Sequence, residues 1–279
     1  MSAPLTVAAA LREATTRLAA SESSRLDAEV LLAHCLNVSR TYLYSHPEFE
    51  LDAACHARFD ALLAARARHT PLAYLIERAE FWSLEFAVTP AVLVPRGETE
   101  LLVELALAAW PTDTPGVLLD AGAGSGAIAA ALALERPALT VIANDSSAAA
   151  LAVARGNFAR LGLARIACVQ GHWLEARADG SLDVLVSNPP YVGDEDDVDA
   201  AVNFEPRQAV FAADGGGAAL ATIVTAAPRC LKRGGYIALE HGHRQGAQVR
   251  ALLAAQGFAR IETARDLAGR ERATSAWRD

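Results

Sequence analysis

Residues 116–129 read Gly116-Val117-Leu118-Leu119-Asp120-Ala121-Gly122-Ala123-Gly124-Ser125-Gly126-Ala127-Ile128-Ala129. An aliphatic run of strand length passes through three alternating glycines straight into a run of helical character. Glycines let the backbone turn sharply and approach a ligand closely. The carboxyl end of a strand is where open α/β sheets bind ligands. The pattern also fits part of a dinucleotide fingerprint. Asp120, just before the glycines, would face a pyrophosphate badly and an amino-acid ammonium well. The next strand ends at Asp145, where a carboxylate can take two ribose hydroxyls. Dehydrogenases share that second acid, so it supports adenosine binding without deciding the class.

Working outward, strands are expected at 116–120, 139–144, 165–169, 182–187, 234–240, 258–263 and 272–277. Amphipathic helices lie between most of them. One carries Leu151, Ala154, Phe158 and Leu161, and another Leu220, Ile223, Val224 and Leu231. This alternation predicts an α/β fold with a seven-stranded, mostly parallel, doubly wound sheet. No helix-length segment separates the last two strands, so the final one should be antiparallel. Upstream the period is helical. Leu5, Ala8, Leu11, Ala14 and Leu18 share one face, and a helix at about 25–36 carries Leu26, Val30, Leu31 and Cys35 on its buried stripe. A third helix covers roughly 53–68, and a short one follows Pro71, a favoured first-turn residue. Residues 81–88, aromatic and β-branched, read as a hairpin. The expected organisation is a small N-terminal helical bundle (1–78), a β-hairpin linker (79–95) and an α/β domain (96–279).

The strongest chemical signal is Val186-Ser187-Asn188-Pro189-Pro190-Tyr191, at the carboxyl end of the fourth strand of that domain. Two prolines stiffen the turn and remove two backbone donors. The acceptors left to point inward are the Pro189 carbonyl and the Asn188 side-chain oxygen. Two convergent acceptors suit an –NH2 group, and Tyr191 offers a planar group a flat surface. An amide nitrogen is a poor nucleophile because its lone pair is delocalised. Fixing both hydrogens and placing an electrophile beside it does most of the work. Gln170-Gly171-His172-Trp173 follows the third strand. There Trp173 could pack beside an adenine, whereas His172 reads as a surface residue.

Of the 279 residues, 52% are hydrophobic and 21% charged, enough to bury a core, and the net charge of −8 disfavours a general nucleic-acid binder. The spacings of Cys35, Cys55, Cys168 and Cys230 suit neither zinc nor a disulfide framework, which points to a reducing cytoplasm. Arg12, Glu13 and Arg17 break the alanine-rich N-terminus, so it does not read as a signal peptide. No run reaches the length of a membrane span. Asp194 to Asp197, with Asp199, read as a solvated loop. His241-x-His243 lacks a third ligand and reads as surface, so no metal is expected. The absence of a further long apolar face points to a monomer.

Together these motifs resemble those of the class I methyltransferases, and within them the release-factor glutamine methyltransferases, the HemK/PrmC family. The resemblance spans nearly the whole chain. Beyond the glycine loop, Asp145 and Asn-Pro-Pro-Tyr, it is carried by Ser24 to Glu29, by Pro71-Leu72-Ala73-Tyr74, by Glu80-Phe81-Trp82 and by Val94-Pro95-Arg96-Gly97-Glu98-Thr99-Glu100. Glu205-Pro206 and Gly234-Gly235-Tyr236 complete it. It implies S-adenosyl-L-methionine as methyl donor and the Gly-Gly-Gln glutamine of peptide-chain release factors as acceptor. It also implies a helical N-terminal domain for substrate recognition. Asp120, Gly122, Ala123, Gly124, Ser125, Gly126, Asp145, Trp173 and Asn188 would contact the cofactor. Asn188, Pro189, Pro190 and Tyr191 would hold the glutamine and serve catalysis. Three positions depart from the pattern: Gly97 replaces a proline, Glu77 a glycine, and His172 an Asp or Ser. A ribosomal-protein glutamine methyltransferase shares the catalytic turn, and an adenine amino-group methyltransferase shares the acceptor geometry. The latter would need a basic groove and a flipped base.

Overall fold

The computed structural model describes residues 5–175 and 177–279. Positions 1–4 of the first expected domain and position 176 of the third lie outside them. The chain divides into two compact units, Met1–Glu77 with Asp199–Phe204, and Arg78–Val198 with Glu205–Asp279.

The first unit is helical: α1 (Val7–Arg17), α2 (Ser24–Leu36), α3 (Arg40–Ser45), α4 (Ala53–Arg66) and α5 (Leu72–Leu75). Side chains of Thr6, Ser39 and Asp52 cap α1, α3 and α4 by accepting backbone N–H groups. Sequence periodicity missed α3, whose six residues are too few to show a period. It also misplaced the stripe of α2. Leu26 is 42% exposed, while Asp27, Ala28, Glu29, Leu31, Leu32 and Cys35 face inward. Two acids can lie there because each is paired. Asp27 accepts from the Ser21 and Ser23 hydroxyls and the Arg66 guanidinium. Glu29 accepts from Arg25, Arg40 and the Tyr44 hydroxyl. Buried carboxylates persist only with such partners.

The second unit opens with an antiparallel hairpin, β1 (Arg78–Phe81) and β2 (Leu84–Ala87). Its turn residues Trp82 and Ser83 both have positive φ, 53° and 56°, the hand that matches strand twist in a two-residue turn. Phe81 and Phe86 are fully buried and meet edge to face. A 3-10 turn (Gly97–Thr99) leads into α6 (Glu100–Ala109). Then come β3 (Gly116–Ala121), α7 (Ala127–Glu135), β4 (Leu139–Asp145), α8 (Ala148–Arg160), β5 (Ala167–Gln170) and β6 (Leu182–Ser187). A second 3-10 turn (Ala200–Phe204) belongs to the first unit. The chain closes with α9 (Arg207–Val210), α10 (Ala218–Cys230), β7 (Leu231–Glu240), α11 (Gly246–Ala255), β8 (Phe258–Arg265) and β9 (Glu271–Arg278). Leu231, expected on a helix, begins β7 instead.

The seven strands run in the order β5-β4-β3-β6-β7-β9-β8. The first five are parallel, and β9 is antiparallel to both its neighbours. One core gathers α6, α7, α8 and the hairpin on one face of the sheet, and a second gathers α10 and α11 on the other. Strands buried on both faces read as continuous apolar runs. That is why Val184, Leu185 and Val186 announce a central strand so clearly; all three have no exposed surface. Chain order reverses on either side of β3, which is paired to β4 on one side and β6 on the other. Such a switch point opens a crevice at the carboxyl ends of the strands.

Candidate active site

A cavity of about 480 Å³ occupies that crevice, within the size range of small-molecule sites. Its walls include Gly122, Ala123, Gly124 and Ser125 from the β3–α7 loop and Asp145 from the end of β4. Trp173 comes from beyond β5, and Asn188 and Pro190 from the turn after β6. Pro95, Arg96 and Thr99 add a further wall, and the 206–222 region another. Among the residues singled out from sequence, Asp120, Gly126, Pro189 and Tyr191 do not line this cavity.

The glycine loop is held by side chains that already spend most of their bonding capacity on it. Asp120, with no exposed surface, accepts the Ala129 N–H at 3.0 Å through Oδ2 and so caps the start of α7. Its Oδ1 has no partner among the described residues. Burial pushes its carboxyl up to about 7, against the Ala129 hydrogen bond. Asp145 accepts the Gly124 N–H at 3.0 Å and the Ser147 N–H at 2.8 Å. A carboxylate has about four acceptor sites, so two remain for hydroxyls from the cavity. Gly122 adopts φ +79°, and a Cβ there would lie 2.9 Å from the Trp173 ring. The indole therefore packs flush against the loop. Trp173 itself has φ 46°, and its carbonyl accepts from the Asn144 side chain. The Asn144 carbonyl in turn accepts the Gly122 and Ala123 N–H groups.

This geometry carries a prediction. Gly122→Ala loses about 1–2 kcal/mol from the left-handed backbone alone and displaces Trp173 from the wall. Calorimetric titration should show S-adenosylmethionine binding weakened at least about tenfold. An unchanged Kd would show that the loop and indole are not packed for the ligand.

The Asn-Pro-Pro-Tyr turn is equally fixed. Asn188 Nδ2 donates to Thr99 Oγ1 at 3.1 Å, leaving Oδ1 as the group turned away from Thr99. The Tyr191 hydroxyl donates to Glu240 Oε1 at 3.0 Å. Burial and the Glu240 charge push that phenol far above its ordinary value, so it stays protonated. After the turn, Val192 pairs with the 210–212 segment through hydrogen bonds to Val210 and Ala212.

Residues 9–76 match the family model described as PrmC N-terminal domain, and 97–218 match that of the methyltransferase small domain. The release factor glutamine methyltransferase of Xylella fastidiosa is 42% identical over 268 residues, covering 95% of this chain and 96% of that one. The Escherichia coli protein of the same name is 43% identical over 267 residues, again covering 95% and 96%. The chain belongs to the release factor glutamine methyltransferase family. Solved structures share the fold at low identity. A methyltransferase from Pyrococcus furiosus aligns with a TM-score of 0.53 at 18% identity, covering 81% of this chain and 98% of its own. A ribosomal protein L11 methylase from Lactobacillus delbrueckii aligns at 0.50 and 20%, covering 66% and 80%.

The three departures from the family pattern now have a physical setting. Glu77 has φ 58°, a left-handed conformation that glycine adopts without strain. Around Gly97 a Cβ would meet nothing within 4 Å, so the position has room for a bulkier ring. His172 lines the cavity with its side chain about half exposed, beside Glu175 at 3.5 Å. Arg96, whose role sequence left open, pairs with the buried Glu205 at 2.7 Å. That joins the segment before α6 to the segment before α9, both of which border the cavity.

The expectation that His241 is a surface residue is wrong. It has no exposed surface, and its ring bonds to the Gly242 carbonyl and Thr274 Oγ1. The pairing of β7 with β9 runs past Glu240, with the His241 N–H reaching the Arg272 carbonyl, and so covers it. His243 is exposed. The 194–197 run is largely exposed. Asp194 pairs with Arg207, and Asp196 accepts the Gly193 N–H. No metal-ligating group of side chains occurs among the described residues. All four cysteines are free thiols, Cys35 and Cys230 buried and the other two half-buried.

Sequence reasoning assigned no role to Thr99, Glu240 or Asn157. Asn157 is fully buried in α8. Its side chain accepts the Ala87 N–H and donates to the Ala87 and Ser125 carbonyls. It thus ties the hairpin to the glycine loop. A polar residue interrupting the stripe Leu151, Ala154, Phe158 was the available signal.

Proposed function

We propose that this chain transfers a methyl group from S-adenosyl-L-methionine to the side-chain amide nitrogen of the glutamine in the Gly-Gly-Gln loop of peptide-chain release factors. The observation that carries this reading is the convergence of the glycine loop, Asp145 and Asn188 on one cavity. Bound there, S-adenosylmethionine supplies a methyl on a sulfonium, an electrophile with a neutral thioether as leaving group. The half-used Asp145 carboxylate would take ribose hydroxyls, Trp173 would flank the adenine, and Asp120 would favour the ammonium end from beneath the loop.

Asn188 Oδ1 and the Pro189 carbonyl accept the two N–H groups of the substrate amide, and Tyr191 backs the turn. This fixes a poor nucleophile with its π face toward the methyl, and positioning supplies most of the rate. The cofactor would supply the methyl with its carbon–sulfur bond giving way as the carbon–nitrogen bond forms, and the surplus proton would pass from the nitrogen to solvent afterward. No strong base is required before transfer. The helical unit serves substrate recognition, and the chain acts in the cytoplasm as a monomer, without binding nucleic acid directly. No helix among the described residues is long and apolar enough to cross a membrane.

The test is the intact mass of a purified release factor after incubation with this protein and S-adenosylmethionine. A gain of one methyl mass is expected, and none when the Gly-Gly-Gln glutamine is changed to alanine. Cofactor binding without any gain would overturn the assignment and direct attention to ribosomal proteins, then nucleic acid.

A further inference from the structure

Three segments are joined by one side chain near the carboxyl ends of β6 and β7. They are the turn from Asn188 to Tyr191, the turn 213–217 before α10, and residues 241–245 between β7 and α11. The side chain is that of Gln245. Its Oε1 accepts the Gly242 N–H at 2.8 Å. Its Nε2 donates to the Tyr191 carbonyl at 3.2 Å and, more loosely, to the Gly215 carbonyl at 3.4 Å. Gln245 occupies the cap position of α11, where short side chains are favoured because they bond the first helical N–H groups. It makes no such bond. It does not line the cavity, and nothing in the methyl transfer as described uses it.

We infer that Gln245 is a positioning residue, which seats the Asn-Pro-Pro-Tyr turn for methyl transfer by holding the Tyr191 carbonyl. This rests on the reading above, in which Asn188 and Pro189 hold the acceptor amide. A backbone N–H can only donate and a backbone carbonyl can only accept. Gly242 therefore fixes Oε1, and the NH2 has to face Tyr191 and Gly215. Gly242 is itself held, because its carbonyl accepts the Gln245 N–H at 2.9 Å and Nδ1–H of the buried His241 ring at 2.9 Å. Gly216 closes on the same Tyr191 oxygen, since a Cβ there would sit 2.0 Å from it. Between Tyr191 and Asn188 lie two prolines, whose rings fix φ at both positions. A shift of the Tyr191 carbonyl is thus passed back to Asn188 with little to absorb it.

The experiment measures kcat and KM for a release factor across about pH 5 to 8, together with S-adenosylmethionine Kd and thermal midpoint. The variants are Gln245→Met and Gln245→Glu. Gln245→Met keeps the length of the side chain without a donor, and should lower kcat about tenfold at every pH. Cofactor Kd should stay within about twofold, because Gln245 makes no bond to the glycine loop, Asp145 or Trp173. Gln245→Glu separates the donor from mere packing. Near pH 8 its carboxylate still accepts from Gly242 but turns lone pairs on two carbonyls, so kcat should fall at least as far as in Gln245→Met. As pH falls the carboxyl gains an O–H that can donate to the Tyr191 carbonyl. Its kcat relative to the parent at the same pH should then recover by at least about threefold near pH 5. Gln245→Met activity within about twofold of the parent would overturn the inference. So would a Gln245→Glu to parent ratio that does not change with pH, or a cofactor Kd that weakens as much as kcat falls. Should Gln245→Glu fail to fold, Gln245→Met alone decides it. Absence of transfer by the unmodified protein would overturn the underlying reading and this inference with it. Transfer by the unmodified protein alongside an unimpaired Gln245→Met overturns the inference alone.

Discussion

Asn188→Ala should lower kcat for release-factor methylation by about 10²- to 10³-fold, while the Kd of S-adenosylmethionine should rise by no more than about tenfold. The magnitude is that of deleting one preorganised polar contact to the reacting group in a water-poor site. The asymmetry follows from where the proposed cofactor contacts lie. The glycine loop and Asp145 sit on β3 and β4, and Trp173 follows β5. None of their hydrogen bonds involves Asn188. In the proposed mode the substrate amide, by contrast, relies on Asn188 Oδ1 and one backbone carbonyl. Removing the first lets the nitrogen rotate and returns its lone pair to full conjugation. Single-turnover rates with saturating cofactor measure this directly. A kcat within about threefold of the parent would show that Asn188 does not hold the acceptor. Asn188→Asp keeps an acceptor but loses the donor to Thr99, and should fall between the two.

The parts of this molecule that were legible in the sequence share a property: their meaning is local. The strand from Leu182 to Ser187 carries an unbroken apolar run, Val184-Leu185-Val186, because helices cover both faces of it. Asn188-Pro189-Pro190 announces an acceptor-rich turn because proline chemistry acts on its own backbone. The residues that sequence left out derive their roles from distant chain. Thr99 meets Asn188 across 89 positions, and Asn157 meets Ala87 across 70. The break that Asn157 makes in its helix stripe marks the residue, but neither its spacing nor that of Thr99 would betray the partner. The error at α2 has the same origin. Asp27 looks like a surface residue until Arg66, 39 positions away, neutralises it. Tyr191 was expected as a flat support for the substrate. Its hydroxyl is engaged by Glu240 and its ring joins the core beneath α10 and α11, so its contribution to the turn begins with rigidity.

That rigidity makes Gly216→Ala the most damaging small substitution available outside the cavity wall. Gly216 is buried with φ +84°, and a Cβ there would sit 2.0 Å from the Tyr191 carbonyl oxygen and 2.6 Å from its carbon. The obstacle is backbone and cannot rotate away. The same carbonyl is held by Gln245 Nε2 at 3.2 Å, and Val192, the next residue, is locked to Val210 and Ala212. Relief of the clash shifts the Asn188–Tyr191 turn against the 213–217 segment, and a displacement of the turn by about 1 Å can cost 10²-fold in rate. Gly216→Ala should therefore lower kcat by at least about 10²-fold. The left-handed backbone and the clash should together destabilise the fold by about 3 kcal/mol. The thermal midpoint should then fall by about 6–12 °C for a unit of this size. Cofactor affinity should survive better than activity, because the β3–α7 loop is not part of the displaced segment. Gly215→Ala separates steric from conformational effects. Gly215 has φ +61° but open space where a Cβ would go, so its alanine variant should lose about 1–2 kcal/mol of stability and keep near-parental kcat. Equal loss of activity in both variants would show that backbone strain in the 213–217 turn, rather than contact with Tyr191, governs the catalytic turn.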